Sequence, residues 1–226
     1  MNEICSELIL EGMNTRMIQL LDIDKRFDEK IVLSNVSLSI DRNEFVCITG
    51  ESGVGKTTLL NIIGLLEKPD SGEVILNGEN YFTKKDILRL RREFFGYVFQ
   101  DFLLLPDKTV AENIWISRYE NKRADKEEIV EIMKKVGLDS NFLNKKVYCL
   151  SGGEQQKVAI ARMMLKEYEL VLADEPTGNL DYKNKIDVIE ILKNMKKEGK
   201  TIICVTHDQE VANAADRIIN LVKAEE

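Results

Sequence analysis

The chain has 226 residues, 44% of them hydrophobic, and its 39 acidic and 32 basic side chains give a formal net charge of −7. That length fits one α/β domain with room for an inserted subdomain, while the acidic balance argues against a nucleic-acid footprint and against unaided adhesion to an anionic membrane. No apolar run approaches the ~18 residues of a spanning helix and no secretory signal opens the chain, so the expected address is cytosolic and any membrane role needs a protein partner.

Residues 1–16 are mixed in character and read as a disordered N-terminal arm or an upstream start. The first strand pattern begins at Met17-Ile18-Gln19-Leu20-Leu21-Asp22-Ile23. A second runs from Val32 to Ile40, with Val36, Leu38 and Ile40 on one face and Ser37 and Ser39 on the other. Between them Phe27 sits in a polar bend, where an aromatic ring either stacks on a nucleotide base or plugs a sheet edge. Asp41-Arg42-Asn43-Glu44 turns the chain into the next strand, and Asn43 suits a left-handed position there.

Glu44 to Thr49 is apolar and partly β-branched, as a buried parallel strand should be. Gly50-Glu51-Ser52-Gly53-Val54-Gly55-Lys56-Thr57 follows, and Thr58 to Ile63 then takes helical spacing. A glycine-rich loop between a strand and a helix N-terminus lets consecutive N–H groups converge on one anion, with the positive end of the helix dipole behind them. Lys56 can reach β and γ phosphates, and the Thr57 hydroxyl can bind Mg²⁺.

Beyond that helix Asp70-Ser71-Gly72-Glu73 makes a turn and Val74 to Gly78 a short strand. From about Lys84 to Val136 the chain is charge-rich and mostly helical, with Ile87, Leu88, Leu90 and Phe94, then Ile129, Ile132, Met133 and Val136, at helical spacing. Gly96 to Gln100 interrupts it as a short strand. Gln100 is either a polar terminus or a functional amide, and the run Phe102 to Leu105, with Trp115 beyond, is either local core or an apolar docking groove.

In Leu150-Ser151-Gly152-Gly153-Glu154-Gln155, Ser151 and Glu154 form a capping box that opens a helix with Val158, Ile160 and Ala161 toward a core. Capping does not explain the paired glycine, which strips side chains from the first turn and leaves N–H groups open to an anion. Glu169 to Ala173 is a near-continuous apolar strand ending in Asp174 and Glu175, where carboxylates can hold Mg²⁺ or deprotonate water. Thr201 to Thr206 is another such strand, with His207, the single histidine of the chain, at its end. The four cysteines, Cys5, Cys47, Cys149 and Cys204, are too scattered for a zinc site or disulfide framework and read as reduced, mostly packing residues.

In combination these motifs resemble the ATP-binding subunit of an ATP-binding cassette (ABC) transporter over about residues 17–222. Gly50 to Thr57 matches the family's Walker A and Gln100 its Q-loop. Leu150 to Gln155 matches the signature motif, Leu170 to Glu175 the Walker B, Asn179-Leu180-Asp181 the D-loop and His207 the switch histidine. Phe27 stands where the family puts its base-stacking aromatic. Pro176-Thr177-Gly178-Asn179-Leu180-Asp181 looks like the group that serves macrolide export, lipoprotein release, bacteriocin and peptide-antibiotic export or resistance, and the related cell-division ATPase. The chain departs from the family in carrying Glu154 for glutamine, Lys157 for arginine and Asn43 for glycine, and its tail, Leu221 to Glu226, lacks the terminal strand and glycine of many relatives.

The resemblance implies an α/β fold with a P-loop NTPase (RecA-like) core, an antiparallel β subdomain and an α-helical subdomain inserted at about 84–165. It implies one ABC ATPase domain over 17–226 that forms a homodimer on ATP binding. ATP and Mg²⁺ are the expected ligands, with Phe27, Gly50, Glu51, Ser52, Gly53, Val54, Gly55, Lys56, Thr57 and Thr58 of one copy and Ser151, Gly152, Gly153 and Glu154 of the other around the nucleotide. Thr57, Gln100 and Asp174 would hold the metal, and Glu175 would be the general base, with Lys56, Gln100 and His207 completing the catalytic set. The implied role is to power an exporter or envelope-remodelling complex through separate integral-membrane permease subunits, on the cytoplasmic face and without nucleic acid. An importer ATPase and a soluble ABC ATPase acting on nucleic acid or ribosomes are the competing readings.

Overall fold

The computed structural model describes residues 16–118, 125–178 and 180–223. The expectations for the arm before Arg16 and for Asn179 fall outside them. Strands β1 (Arg16–Phe27) and β2 (Lys30–Asp41) form an antiparallel hairpin, and β4 (Ser71–Leu76) pairs with the other edge of β1, making a three-stranded sheet in the order β2-β1-β4. Five further strands make a parallel sheet in the order β5-β6-β7-β3-β8: β3 (Phe45–Thr49), β5 (Phe95–Val98), β6 (Leu170–Asp174), β7 (Thr201–Val205) and β8 (Arg217–Asn220).

The three central strands are apolar throughout because both faces are covered, and successive residues feed two different cores. Leu170 and Leu172 of β6, Ile203 and Val205 of β7, and Val46 and Ile48 of β3 join the cluster shared with the antiparallel sheet and helix α1 (Lys56–Ile63). Val171, Ala173, Ile202 and Cys204 face the opposite way, into a cluster with the later helices. Cys47 and Cys204 lie side by side in register on β3 and β7, both buried, while Cys149 is exposed.

Helix α2 (Lys84–Glu93) has no buried residue; Leu90 and the following Phe94 pack toward the first cluster, and Leu88 faces solvent. The second cluster is enclosed instead by α3 (Val110–Trp115), α4 (Lys126–Lys135), α5 (Gly152–Met164) and α6 (Tyr182–Lys197), with the short α7 (Gln209–Ala214) beyond. Helix α2 therefore packs against the first cluster, while α3, α4 and α5 share the second with α6 and the far face of the parallel sheet. The buried Asn113 of α3 fixes the loop ahead of it, accepting from the Leu105 N–H at 2.7 Å and donating to the Leu105 and Thr109 carbonyls.

Strand β8 is not among the predicted strands. It has four residues, two of them polar, and is held to the sheet edge by its pairing with β3 and by Arg217, which reaches Glu44 at 2.6 Å.

Candidate functional site

The carboxyl ends of β3, β6 and β7 open on one edge of the parallel sheet, and the loops that follow them carry most of the predicted residues. After β3 the chain runs through Gly50 to Gly55 into α1, whose N-cap, Gly55, has φ 104° and offers no side-chain cap. A Cβ at Gly55 would come within 2.9 Å of Val32 O and of the Val32 and Leu33 side chains, so the loop lies tight beneath β2 and this position tolerates only glycine. Glu51, Ser52 and Gly53 are exposed, Val54 is buried, and Thr58 is half-buried in the first turn of the helix.

Lys56 is buried, and its ammonium lies inside the loop, donating to the Gly50 carbonyl at 3.0 Å and the Glu51 carbonyl at 2.9 Å. The Thr57 hydroxyl donates to Asp174 Oδ1 at 3.1 Å, joining the loop to the end of β6. Burial holds the Asp174 carboxyl above its usual range, with the Thr57 hydrogen bond pulling the other way.

Glu175, the next residue, has φ 45°, a left-handed conformation that costs a non-glycine residue about 1–3 kcal/mol and collects at functional sites. Its backbone N–H donates to Val205 O at 2.8 Å. Both carboxylate oxygens are engaged: Oε2 accepts from the Thr206 hydroxyl at 2.8 Å, and Oε1 lies 2.8 Å from His207 Nδ1. The imidazole is otherwise open, with 77% of its side chain exposed. Thr206 is a member of this site that the sequence reading passed over. Its signal was there, a polar residue in the first place beyond an apolar strand. The Thr206 hydroxyl also accepts the Asp208 N–H at 3.0 Å, and Asp208 pairs with Lys185 of α6 at 2.7 Å.

Gln100 is exposed, with its amide near Gly178 in the turn after Glu175; among the described residues it is not hydrogen-bonded to Thr57 or Asp174. Phe27 stands out from the β1–β2 hairpin, 46% exposed, with the Lys25 ammonium 5.0 Å from the ring centre. It does not fill the sheet edge.

Ser151 to Glu154 lie elsewhere, at the N-terminus of α5, and among the described residues no hydrogen bond joins them to the phosphate loop of the same chain. The capping box is formed as expected: the Ser151 hydroxyl accepts from Glu154 N at 3.3 Å and Glu154 Oε2 accepts from Ser151 N at 2.7 Å. The Glu154 carboxylate is therefore folded back on its own helix end.

The two glycines, however, have different reasons. A Cβ at Gly152 meets nothing within 4 Å, whereas one at Gly153 would lie 2.2 Å from Asn184 Cγ. Asn184 sits in the first turn of α6, bonded twice to the N-cap Asp181. Gly153 is glycine because two helices of the same chain meet there, and only Gly152 fits the reading of a bare, open turn. Gly152→Ala should leave the denaturation midpoint unchanged within error, whereas Gly153→Ala should cost about 1–3 kcal/mol, as overpacking does. Equal midpoints for the two variants in chemical denaturation would contradict this assignment.

The same two helices are held further along by Lys157 and Asp187, 2.6 Å apart, and the buried Gln156 ties α5 to the turn after β6 by donating to the Pro176 carbonyl at 2.8 Å. At the other end of α5, Arg162 donates to the carbonyls of Phe102 and Leu103, both of which have positive φ. These reversals turn Leu104 toward the helical core and leave Leu103 and Leu105 exposed; Trp115 and Ile116, at the end of α3, are exposed as well.

Residues 33–178 match the family model described as ABC transporter. The chain is 41% identical over 212 residues to the ABC transporter ATP-binding protein YxdL of Bacillus subtilis, covering 90% of this chain and 82% of that protein. It is 40% identical over 218 residues to the macrolide export ATP-binding/permease protein MacB of Mannheimia succiniciproducens, covering 92% of this chain and 34% of the relative, so it spans about a third of the length of such proteins. Among solved structures, a dimeric ATP-binding cassette from Methanocaldococcus jannaschii, in a post-hydrolysis state bound to ADP and Pi, superposes with a TM-score of 0.82 at 39% identity, covering 91% of this chain and 94% of that one.

Proposed function

The chain belongs to the ABC transporter family, and from that membership we propose that it is the ATP-hydrolysing subunit of an exporter or envelope-remodelling complex, acting through separate membrane subunits. The observation that carries this reading is the meeting of Lys56, the Thr57–Asp174 pair and the Glu175–Thr206–His207 group at one sheet edge.

The loop carbonyls that Lys56 holds stand where a triphosphate would give its ammonium better partners, and the uncapped N-terminus of α1 supplies N–H groups for the same anion. Thr57 and Asp174 offer adjacent hard oxygens of the kind Mg²⁺ takes. Among the described residues no group of three or more His, Cys, Asp or Glu could hold a metal alone, so magnesium would bind together with the nucleotide's own oxygens and neutralise charge on the phosphates. A cation beside Asp174 would also offset the burial that disfavours its charged form. Phe27 offers an exposed ring for the base. Glu175 is assigned as general base, and His207 as the group that leaves it to contact the γ-phosphate. Ser151 and Gly152 of a second copy complete the nucleotide site.

No helix among the described residues is long and apolar enough to cross a membrane, and the stroke of the dimer is assigned to a partner that is. Its docking place is the groove beside Phe99 and Ile116, continuous with the loop after Gln100. Leu104 is half-buried in the helical core and so is a poor probe of that surface, whereas Ile116 is exposed. Ile116→Glu should keep ATP hydrolysis within a few-fold of the parent and abolish co-sedimentation with membranes from the source cells. Unchanged co-sedimentation would exclude this groove as the docking place.

A further inference from the structure

Lys25 lies two residues before Phe27 on β1, so the two side chains share one face of the hairpin. It is buried, and its ammonium meets three oxygens, one for each N–H: Glu67 Oε1 at 2.7 Å, the Lys68 carbonyl at 2.8 Å and Asp70 Oδ1 at 3.3 Å. Those oxygens belong to the segment that leaves the phosphate-loop helix. The Leu66 and Glu67 N–H groups both donate to the Asn61 carbonyl of α1, at 2.8 and 3.1 Å, which fixes the segment to the end of that helix. Asp70 takes the Arg26 N–H on its second oxygen at 2.7 Å, and its own N–H donates to the Asp24 carbonyl at 3.0 Å.

The hairpin is thus fastened at both ends of one helix. At the N-terminus of α1, Gly55 lies under Val32 and Leu33 of β2. At its C-terminus, Lys25, the register partner of Leu33, is held by Glu67, Lys68 and Asp70. Phe27 lies beyond both fastenings, at the last residue of β1, with the Lys25 ammonium over its ring. Burying an ammonium costs solvation that a methionine in the same place would not lose. What only the cation supplies is the double attachment, carboxylates on one side and an aromatic face on the other.

We propose that Lys25 is a positioning residue for the nucleotide base, setting the Phe27 ring at a fixed place relative to the phosphate loop. The inference rests on the assignment of Phe27 to the base and adds what holds the ring. Without Lys25 the hairpin still rests on Gly55, and the phosphate loop keeps Lys56 and its amides. The tip of the hairpin loses its second support and the ring loses its cation. The loss therefore falls on the base, and a ligand with phosphates and no base does not sense Lys25.

The test titrates the purified full chain with ATP and with inorganic tripolyphosphate, both with Mg²⁺, by calorimetry. Stacking a base on an aromatic ring is worth about 5- to 150-fold in affinity, and Phe27→Ala should forfeit that for ATP. Lys25→Met should weaken ATP by on the order of 10-fold, leave tripolyphosphate within about two-fold, and add nothing to Phe27→Ala in the double variant. Because Lys25→Met leaves Glu67 and Asp70 without their cation, Lys25→Met/Glu67→Gln is measured beside it and should show the same selective loss. ATP and tripolyphosphate weakened equally, ATP bound by both Lys25 variants as by the parent, or losses at Lys25 and Phe27 that add, each overturn the positioning role and leave Phe27 with the base. A Phe27→Ala variant that binds ATP as the parent does overturns both.

Discussion

Glu175→Gln should bind ATP as the parent does and hydrolyse it ~10²–10⁴ times more slowly, a loss of roughly 3–5 kcal/mol of barrier lowering. The substitution is well suited to the site because the glutamine carbonyl can still accept from the Thr206 hydroxyl, which now meets Oε2 at 2.8 Å. Shape and the left-handed backbone are thereby kept, and only the ability to take a proton is removed. With hydrolysis blocked, ATP should accumulate a closed dimer that elutes earlier from a sizing column. Near-normal turnover by the purified variant would remove Glu175 from the role of base.

The second large effect concerns the division of one site between two copies. Lys56→Ala removes the cation from the phosphate loop; Ser151→Arg places a bulky side chain at the helix end meant to approach the nucleotide and loses a cap, costing about 1 kcal/mol. Each variant alone has two damaged sites per dimer and should occlude no ATP. In a mixed dimer the intact Lys56 of one copy faces the intact Ser151 of the other, so mixing should recover one occluded ATP per dimer. If both motifs served a site within one chain, every copy in the mixture would still be defective. Mixed dimers captured through two different tags that occlude no ATP would end the shared-site arrangement. The geometry of a single chain favours sharing: Ser151 is exposed, Gly152 faces open space, and Gly153 is committed to Asn184.

Much of this was readable in advance, for physical reasons that vary by element. β3, β6 and β7 are buried on both faces, so they are continuous apolar runs, and the loops that end them carry glycine, acids or histidine. The capping box of Ser151 and Glu154 is local, three residues apart, and formed as its spacing demanded. Asn43 took the left-handed turn expected of it. Features that depend on distant chain were not readable. Nothing near Gly153 announces Asn184, and no pattern in Arg217 to Asn220 announces a strand that exists because β3 has a free edge. At Phe102 and Leu103 two left-handed residues reset which side chains face inward, so the four-residue apolar run divides into half-buried Phe102 and Leu104 and exposed Leu103 and Leu105. The apolar spacing of α2 suggested burial, but the helix packs at only one end.

Helix α5 is gripped at its waist. Gln156 and Lys157 tie it to the Pro176 turn and to Asp187, while Ser151 stands five residues to one side and Arg162 five to the other. At ~1.5 Å per residue the two arms are each about 7.5 Å, so the helix is a balance beam with a central fulcrum and no mechanical advantage. Tilting it carries the Arg162 end and the Ser151 end by equal distances in opposite senses. An N–H to oxygen hydrogen bond is lost over a window of about 0.5 Å. On the reading proposed above, in which Ser151 meets a phosphate held by the second copy, a shift of that size imposed on the Phe102–Leu103 carbonyls would be enough to make or break that contact, and the same beam would carry a displacement of the Ser151 end back to the groove.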